Sequence, residues 1–108
     1  MPEPLLSPGR RKSLVIKRLE RAVPTIRTMF GVRKIGIFGS FARGEHTRRS
    51  DLDILIEFEP GYETYKNFIK LADYLEETVG RKVDLLTESS LSPLLRSYIE
   101  PEVIWCEK

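Results

Sequence analysis

The 108-residue sequence is poor in the residues that build most catalytic and redox sites. Its one cysteine, Cys106, cannot form a disulfide within the chain, and its one histidine, His46, has no second histidine with which to bind a metal. There is also no Ser/His/Asp set, no cysteine cluster, no Gly-x-Gly-x-x-Gly turn and no P-loop. These absences remove most classes of enzyme from consideration.

Strong charge and long apolar runs are absent as well. The formal net charge is only +2 and no basic stripe is evident, so direct binding to nucleic acid is not expected. No apolar run has the length of a membrane span, and the proline-rich N-terminus has no apolar core before a cleavage site. Together with the lone cysteine, this predicts a cytoplasmic protein with no membrane partner.

The length predicts a single domain over residues 13–108, preceded by a disordered tail at residues 1–12. Apolar residues recur at helical spacing from Ser13 to Gly31, but Pro24 interrupts them, which predicts one helix to about Ala22 and a second from Pro24. A long helix is predicted from about Glu63 to Gly80, and a short one after Ser92 and Pro93.

Short apolar segments between these helices predict strands, and the chain is expected to be an α+β protein with a small mixed β-sheet flanked by helices. The predicted strands are Lys34–Phe38, Leu52–Phe58, Lys82–Leu86 and Val103–Trp105.

Two aspartates stand at the start of the second predicted strand. Apolar and other residues alternate from Asp51 to Phe58, which predicts one buried face and places Asp51 and Asp53 on the same side, about 6 to 7 Å apart. Two ionised carboxylates at that distance repel by about 2 to 3 kcal/mol at an effective dielectric constant near 20. A hard divalent cation such as Mg²⁺ would offset this repulsion.

A small-residue turn follows the first predicted strand. Gly39 allows the backbone to come close to a ligand. If a helical turn opens at Ser40, its free amides and the Ser40 hydroxyl can meet phosphate oxygens. Arg43, Arg48 and Arg49 add positive charge nearby. This turn is therefore a candidate phosphate site.

Gly39 and Ser40, ten intervening residues, and then Asp51-Leu52-Asp53 resemble the signature of the DNA polymerase β-like nucleotidyltransferases. The sequence more closely resembles the minimal nucleotidyltransferases (MNT proteins), which share the Gly-Ser-x-Ala-x-Gly opening and Ser-Asp-x-Asp. The resemblance extends from about Val15 to Trp105 and implies the nucleotidyltransferase fold. It also implies a third acid on the strand after the long helix, a position that Asp84 matches.

The resemblance implies roles for particular residues. Mg²⁺ ligands and catalytic carboxylates would be Asp51, Asp53 and Asp84. The nucleotide would be bound by Gly39, Ser40, Arg43 and Ser50. The implied reaction moves AMP from ATP to a hydroxyl group, and the implied acceptor is a tyrosine of a HEPN toxin, for which this chain would be the antitoxin. Association as a homo- or hetero-oligomer is compatible with such a role.

Three other interpretations of the same residues remain open. The chain could be a non-catalytic, nucleotide-binding antitoxin that neutralises its partner by contact. It could also be a small-molecule nucleotidyltransferase of the aminoglycoside-modifying kind, acting as an oligomer. In the plainest interpretation, the Gly39 turn is an ordinary turn and the two aspartates are the solvated face of an edge strand. Repelling carboxylates on one face favour an enzyme over a pure binding module.

Overall fold

The structure, a computed structural model, describes residues 13–106, so the tail predicted at residues 1–12 lies outside the described part of the chain. The helices and strands, in chain order, are α1 (Leu14–Phe30), β1 (Val32–Phe38), α2 (Gly39–Arg43), β2 (Leu52–Phe58), α3 (Tyr65–Val79), β3 (Val83–Thr87), α4 (Pro93–Ile99) and β4 (Ile104–Cys106). Two short 3₁₀ turns, Glu88–Ser90 and Glu100–Glu102, flank α4.

The four strands form one mixed sheet in the order β3-β2-β1-β4. Strand β1 runs antiparallel to both β2 and β4, whereas β2 and β3 are parallel. Parallel neighbours need a long crossover connection, and α3 provides it. The predicted α+β class with a mixed sheet flanked by helices is therefore confirmed. This topology brings the C-terminal end of β1 and the N-terminal ends of β2 and β3 together at one end of the sheet, the edge formed by these strand ends.

Helix α1 is a single helix, so the predicted break at Pro24 is wrong. Ser13 caps it, because its side chain accepts a hydrogen bond from the Ile16 amide, and Gly31 ends it with a left-handed backbone (φ 65°). Pro24 is exposed, whereas Val23 and Ile26 beside it are fully buried. An interior proline costs about 3 kcal/mol, and burying each large apolar side chain returns about 1.5 to 3 kcal/mol. The free energy gained by burying Val23 and Ile26 therefore exceeds the cost of a proline inside the helix.

The sheet is covered on both faces. The larger core lies under α1 and α3, and a second, smaller core consists of Phe38, Leu55 and Leu91 with partly buried side chains from the C-terminal segment packed against it. The expectation that β2 has one buried face is wrong, because Leu55 is fully buried on the second face. The C-terminal segment is thus brought over the sheet, close to the edge where the aspartates lie.

The remaining helices begin and end near their predicted positions. Thr64 caps α3, one residue after the predicted start, and Gly80 ends it with a left-handed backbone. Ser92 caps α4 by accepting a hydrogen bond from the Leu95 amide, as predicted. No described helix has both the length and the apolar character needed to cross a membrane.

Candidate active site

Asp53 and Asp84 are placed side by side by the register of the sheet. Asp53 pairs with Phe38 of β1 on one side and with Asp84 of β3 on the other. Paired residues of neighbouring strands present their side chains on the same face. The order and context from which Asp84 was selected in the sequence therefore correspond to a direct neighbour of Asp53.

Asp51 is held differently. Strand β2 begins at Leu52, whose amide bonds the carbonyl of Lys82, so Asp51 lies at the end of the preceding loop and is exposed. The predicted strand Leu52–Phe58 is confirmed, and Asp51 stands directly before it, because ladder pairing with β3 starts at Leu52 and Val83. The position of Asp51 consequently depends on the loop as well as on the sheet.

The ionised carboxyl group of Asp53 lies in an unfavourable electrostatic environment. Burial raises the pKa of Asp53 most, and the charges of Asp84, Asp51 and Glu102 raise it further, whereas Arg43 lowers it. The repulsion expected between the paired aspartates is present, but Asp84 contributes more to it than Asp51 does. Such a group is stabilised in its ionised form by any cation that binds beside it.

Gly39 is the residue of the turn that lies close to the carboxylate of Asp53. Its backbone is left-handed, with φ 72°, and a Cβ added there would collide with Oδ2 of Asp53. Glycine is therefore required both for the backbone conformation and for close approach. In this structure the group that lies close to Gly39 is the side chain of Asp53.

The expected helical turn is present as α2, but its first amide is not free. The Gly39 N–H donates to Oε1 of Glu102 at 3.1 Å. Nη1 of Arg43 donates to the same carboxylate at 3.2 Å, and Nε of Arg43 donates to Glu45 at 2.9 Å. Two groups assigned to bind phosphate are therefore engaged by one carboxylate, and Ser40 lies next to them in the first turn of the helix.

Ser50 closes the loop that leads to the aspartates. Its Oγ accepts a hydrogen bond from the Thr47 amide at 2.8 Å, and its own amide donates to the Thr47 carbonyl at 3.2 Å. In this structure the Ser50 hydroxyl is thus engaged within the loop. Arg48 and Arg49, expected to add positive charge, are exposed in the same loop.

The acidic set fits a divalent cation that takes further ligands from outside the protein. Within residues 13–106, no group of three or more histidine, cysteine or acidic side chains is arranged to hold a metal by itself. Asp53, Asp84 and Asp51 nevertheless supply hard oxygen donors whose mutual repulsion a cation would relieve. Mg²⁺ commonly takes one or two carboxylates and completes its shell with water and substrate phosphates, and this donor set can meet that requirement.

Two residues at this site have no recognisable motif in the sequence. Glu102 reaches Gly39 across 63 positions of the chain, and Arg81 reaches the loop before Asp51 across 31 to 34 positions. Glu102 follows Pro101, and Arg81 follows Gly80, which ends α3. These neighbours predict only local structure. Only the arrangement of the sheet reveals these contacts.

Comparison with known proteins identifies the class of protein to which this fold and its acidic site belong. The Nucleotidyltransferase domain family matches residues 16–106. The chain belongs to this family, and its class is that of nucleotidyltransferase enzymes.

Individual relatives narrow this class. Protein adenylyltransferase MntA of Thermococcus cleftensis is 45% identical over 80 residues, which cover 74% of this chain and 80% of the relative. A solved structure described as a "putative minimal nucleotidyltransferase" is 31% identical, has a TM-score of 0.73, and matches over 94% of this chain and 98% of its own. The resemblance to the minimal nucleotidyltransferases is thereby confirmed.

A more distant neighbour shares the fold. It is the complex of a tri-AMPylated Shewanella oneidensis HEPN toxin with an MNT antitoxin, with a TM-score of 0.63 at 18% identity, covering 87% of this chain and 72% of that chain. At this identity the likeness concerns the fold alone.

Proposed function

We propose that this chain is a protein adenylyltransferase that moves AMP from ATP to a tyrosine hydroxyl of a HEPN toxin and so acts as its antitoxin. The observation that carries the proposal is the cluster of Asp53, Asp84 and Asp51 beside the Gly39 turn. Two comparisons support the acceptor: a 45% identical relative is named a protein adenylyltransferase, and a structural neighbour is an MNT antitoxin in complex with an AMPylated HEPN toxin.

In the proposed reaction, the acceptor oxygen bonds to the α-phosphorus of ATP while the bond from that phosphorus to the bridging oxygen breaks. Pyrophosphate leaves, and the hydroxyl proton passes to a base. Asp84 is exposed at the edge of the sheet and is the carboxylate we assign to accept or relay this proton. Asp53 is more buried, so we assign it to fixing the position of the reacting groups.

The turn binds the outer phosphates in this proposal. The Gly39 amide, the Ser40 hydroxyl and the Arg43 guanidinium are the donors, and the carboxylate of Glu102 accepts hydrogen bonds from two of them in this structure. A triphosphate that binds here has to replace this carboxylate with its own oxygens. The hydroxyl of Ser50 serves mainly to hold the loop before Asp51.

A divalent ion, proposed to be Mg²⁺, would be held by Asp51, Asp53 and Asp84, and when bound it would neutralise charge on the reacting phosphates. The carboxylates of this chain would fix the position of the ion. Neutral replacements at these positions would leave the phosphates without that attachment.

The experiment that tests the proposal is incubation of the protein with labelled ATP, Mg²⁺ and the product of the adjacent gene, which the proposal expects to be a HEPN protein. Intact-mass measurement of both proteins should show AMP on the HEPN protein. A mass increase that maps to a tyrosine supports the full proposal. Stable association of the two proteins without any mass change would instead support the non-catalytic antitoxin, and AMP transfer to an aminoglycoside with no transfer to the HEPN protein would support the small-molecule enzyme.

A further inference from the structure

Arg81 makes an unusual set of contacts with the loop that leads to Asp51. Its Nη1 lies 2.6 Å from the carbonyl oxygen of Ser50, 3.1 Å from that of Arg48 and 3.3 Å from that of Thr47. One guanidinium nitrogen therefore contacts three backbone carbonyl oxygens of a single loop, and the shortest contact is to the residue directly before Asp51. The path of the chain into Asp51 depends on where this nitrogen lies.

The same guanidinium also contacts α2. Its central carbon lies 5.1 Å from the ring centroid of Phe41, a cation–π distance, and Phe41 is buried directly after Ser40 in the candidate phosphate turn. His46 stacks on the same ring, with centroids 4.1 Å apart and planes at 6°. His46 is thus part of the packing that holds the start of the loop against α2.

Arg81 makes no ion pair within residues 13–106. Its Nε is buried and has no hydrogen-bond partner among the described residues. A guanidinium placed here for stability alone would be expected to use its donors more fully. Its contacts are instead concentrated on the backbone of one loop and the ring of one helix.

The location of Arg81 along the chain completes the geometry. It lies between Gly80, which ends α3, and β3, and it precedes Asp84 by three residues. The side chain therefore joins the strand of Asp84, the loop of Asp51 and the helix of Ser40. Asp53 and Asp84 are aligned by strand pairing, whereas Asp51 lies outside the ladder and needs another constraint.

We propose that Arg81 is a positioning residue for nucleotidyl transfer, which fixes the loop at 47–50 so that Asp51 faces the same divalent ion as Asp53 and Asp84. The inference rests on the proposed function of this site. Arg81 acts through the loop and through Phe41, and it contacts neither the nucleotide nor the ion. Residues that orient metal ligands in this way typically change metal affinity or activity by about 10- to 100-fold when they are replaced.

The test measures the dissociation constant of ATP by calorimetry, once with Mg²⁺ and once with chelator, for the full chain and its variants. For Arg81→Ala we expect the gain in affinity from Mg²⁺ to fall by about tenfold or more, with the affinity in chelator unchanged. Millimolar guanidinium, far below denaturing concentrations, should restore part of the gain by occupying the vacated space. Loss of thermal stability with the full Mg²⁺ gain retained would overturn the proposal, as would an equal loss of affinity in both conditions.

Arg96→Ala is the matched control. Arg96 is also partly buried and donates to a backbone carbonyl, that of Glu88, at 2.9 Å, but it lies in α4. This variant should keep the wild-type Mg²⁺ gain and should not respond to guanidinium. A fall equal to that of Arg81→Ala would overturn the proposal, because any buried arginine would then have the same effect.

Arg81→Lys serves if the alanine variant does not fold. Its ammonium can reach the Ser50 carbonyl but lacks the planar face that lies over Phe41, so the Mg²⁺ gain should be smaller than that of the wild type. A gain equal to that of the wild type would overturn the proposal. If the wild-type protein itself shows no Mg²⁺ gain, the proposed function fails, and the role of Arg81 fails with it, a result distinct from a wild-type gain that Arg81 variants leave intact.

Discussion

Asp53 and Asp51 are two residues apart, yet the fold holds them by different means. Asp53 sits inside a strand, paired on both sides and partly buried, so the hydrogen-bonded register of the sheet fixes its place. Asp51 is exposed at the end of a loop whose carbonyls are gathered by Arg81. One carboxylate is positioned by backbone pairing and the other by a side chain from elsewhere in the chain, so the two should respond differently to mutation.

The largest effect is expected from the single replacements Asp53→Asn and Asp51→Asn. Each should lower AMP transfer by about 100-fold or more, because each removes a proposed ligand of the ion. Their stabilities should differ: Asp53→Asn should hold or raise the free energy of unfolding, since burial and three neighbouring carboxylates destabilise the charge. Asp51→Asn should leave it nearly unchanged because the side chain is exposed. Denaturant titration at neutral pH measures this, and a clear loss of stability in Asp53→Asn would contradict the account.

Gly39→Ala tests the close approach of Asp53 to the turn. The left-handed backbone alone should cost about 1 to 2 kcal/mol, and the collision with Oδ2 of Asp53 should add to it. Gly61→Ala is the matched control, because Gly61 also has a positive φ, 91°, but a Cβ there meets nothing within 4 Å. Equal losses in the free energy of unfolding for the two variants would show that Asp53 does not constrain position 39.

Asp84→Asn tests the charge coupling across the paired strands. The raised pKa of Asp53 means that its neutral form is favoured in the fold. Its contribution to stability is therefore present below the ordinary pKa of an aspartate and is lost as the pH rises through the raised pKa. Removing the Asp84 charge should lower the pKa of Asp53 and reduce that loss.

NMR titration of the Asp53 carboxyl group measures the effect of Asp84→Asn. Asp73→Asn is the control, because Asp73 lies on the exposed side of α3. An Asp53 titration midpoint that does not move in Asp84→Asn would contradict the coupling.

Glu102→Gln is expected to have the smallest effect. The carboxylate holds the Gly39 amide and Arg43, so neutralising it should tighten ATP binding by about two- to fivefold, in line with the modest strength of partly exposed ion pairs. Glu100→Gln is the control, because Glu100 has a similar exposure and pairs with Arg96 instead. Calorimetry would reveal weaker binding if Glu102 orients Arg43 for the phosphate rather than competing with it.

The same contrast explains what could be predicted from the sequence. Strand alternation selected Asp53, and the resemblance to the minimal nucleotidyltransferases selected Asp84 by its place in the chain. Ser13 and Gly80 marked helix ends, because such signals are local. The break predicted at Pro24 failed since buried neighbours outweighed a local preference, and the second buried face of β2 was missed although Leu55 stood among the residues of the expected polar face.

The contacts of Arg81 and Glu102 could not be predicted. Each joins segments more than 30 positions apart and depends on how the sheet brings its edge together. No periodicity or capping pattern marks such a side chain. The electrostatic strain at Asp53 likewise arises from groups on several segments, so its pairing with Asp51 in the sequence revealed only part of it.

The central claim is that the carboxylates at this edge serve nucleotidyl transfer rather than the fold. The most direct measurement is the rate at which AMP appears on the HEPN protein, by intact mass, for the wild type and for the double variant Asp51→Asn/Asp53→Asn. We expect the variant to lose the transfer by several orders of magnitude while its metal-free melting temperature holds or rises. A double variant that transfers AMP at nearly the wild-type rate would contradict the account.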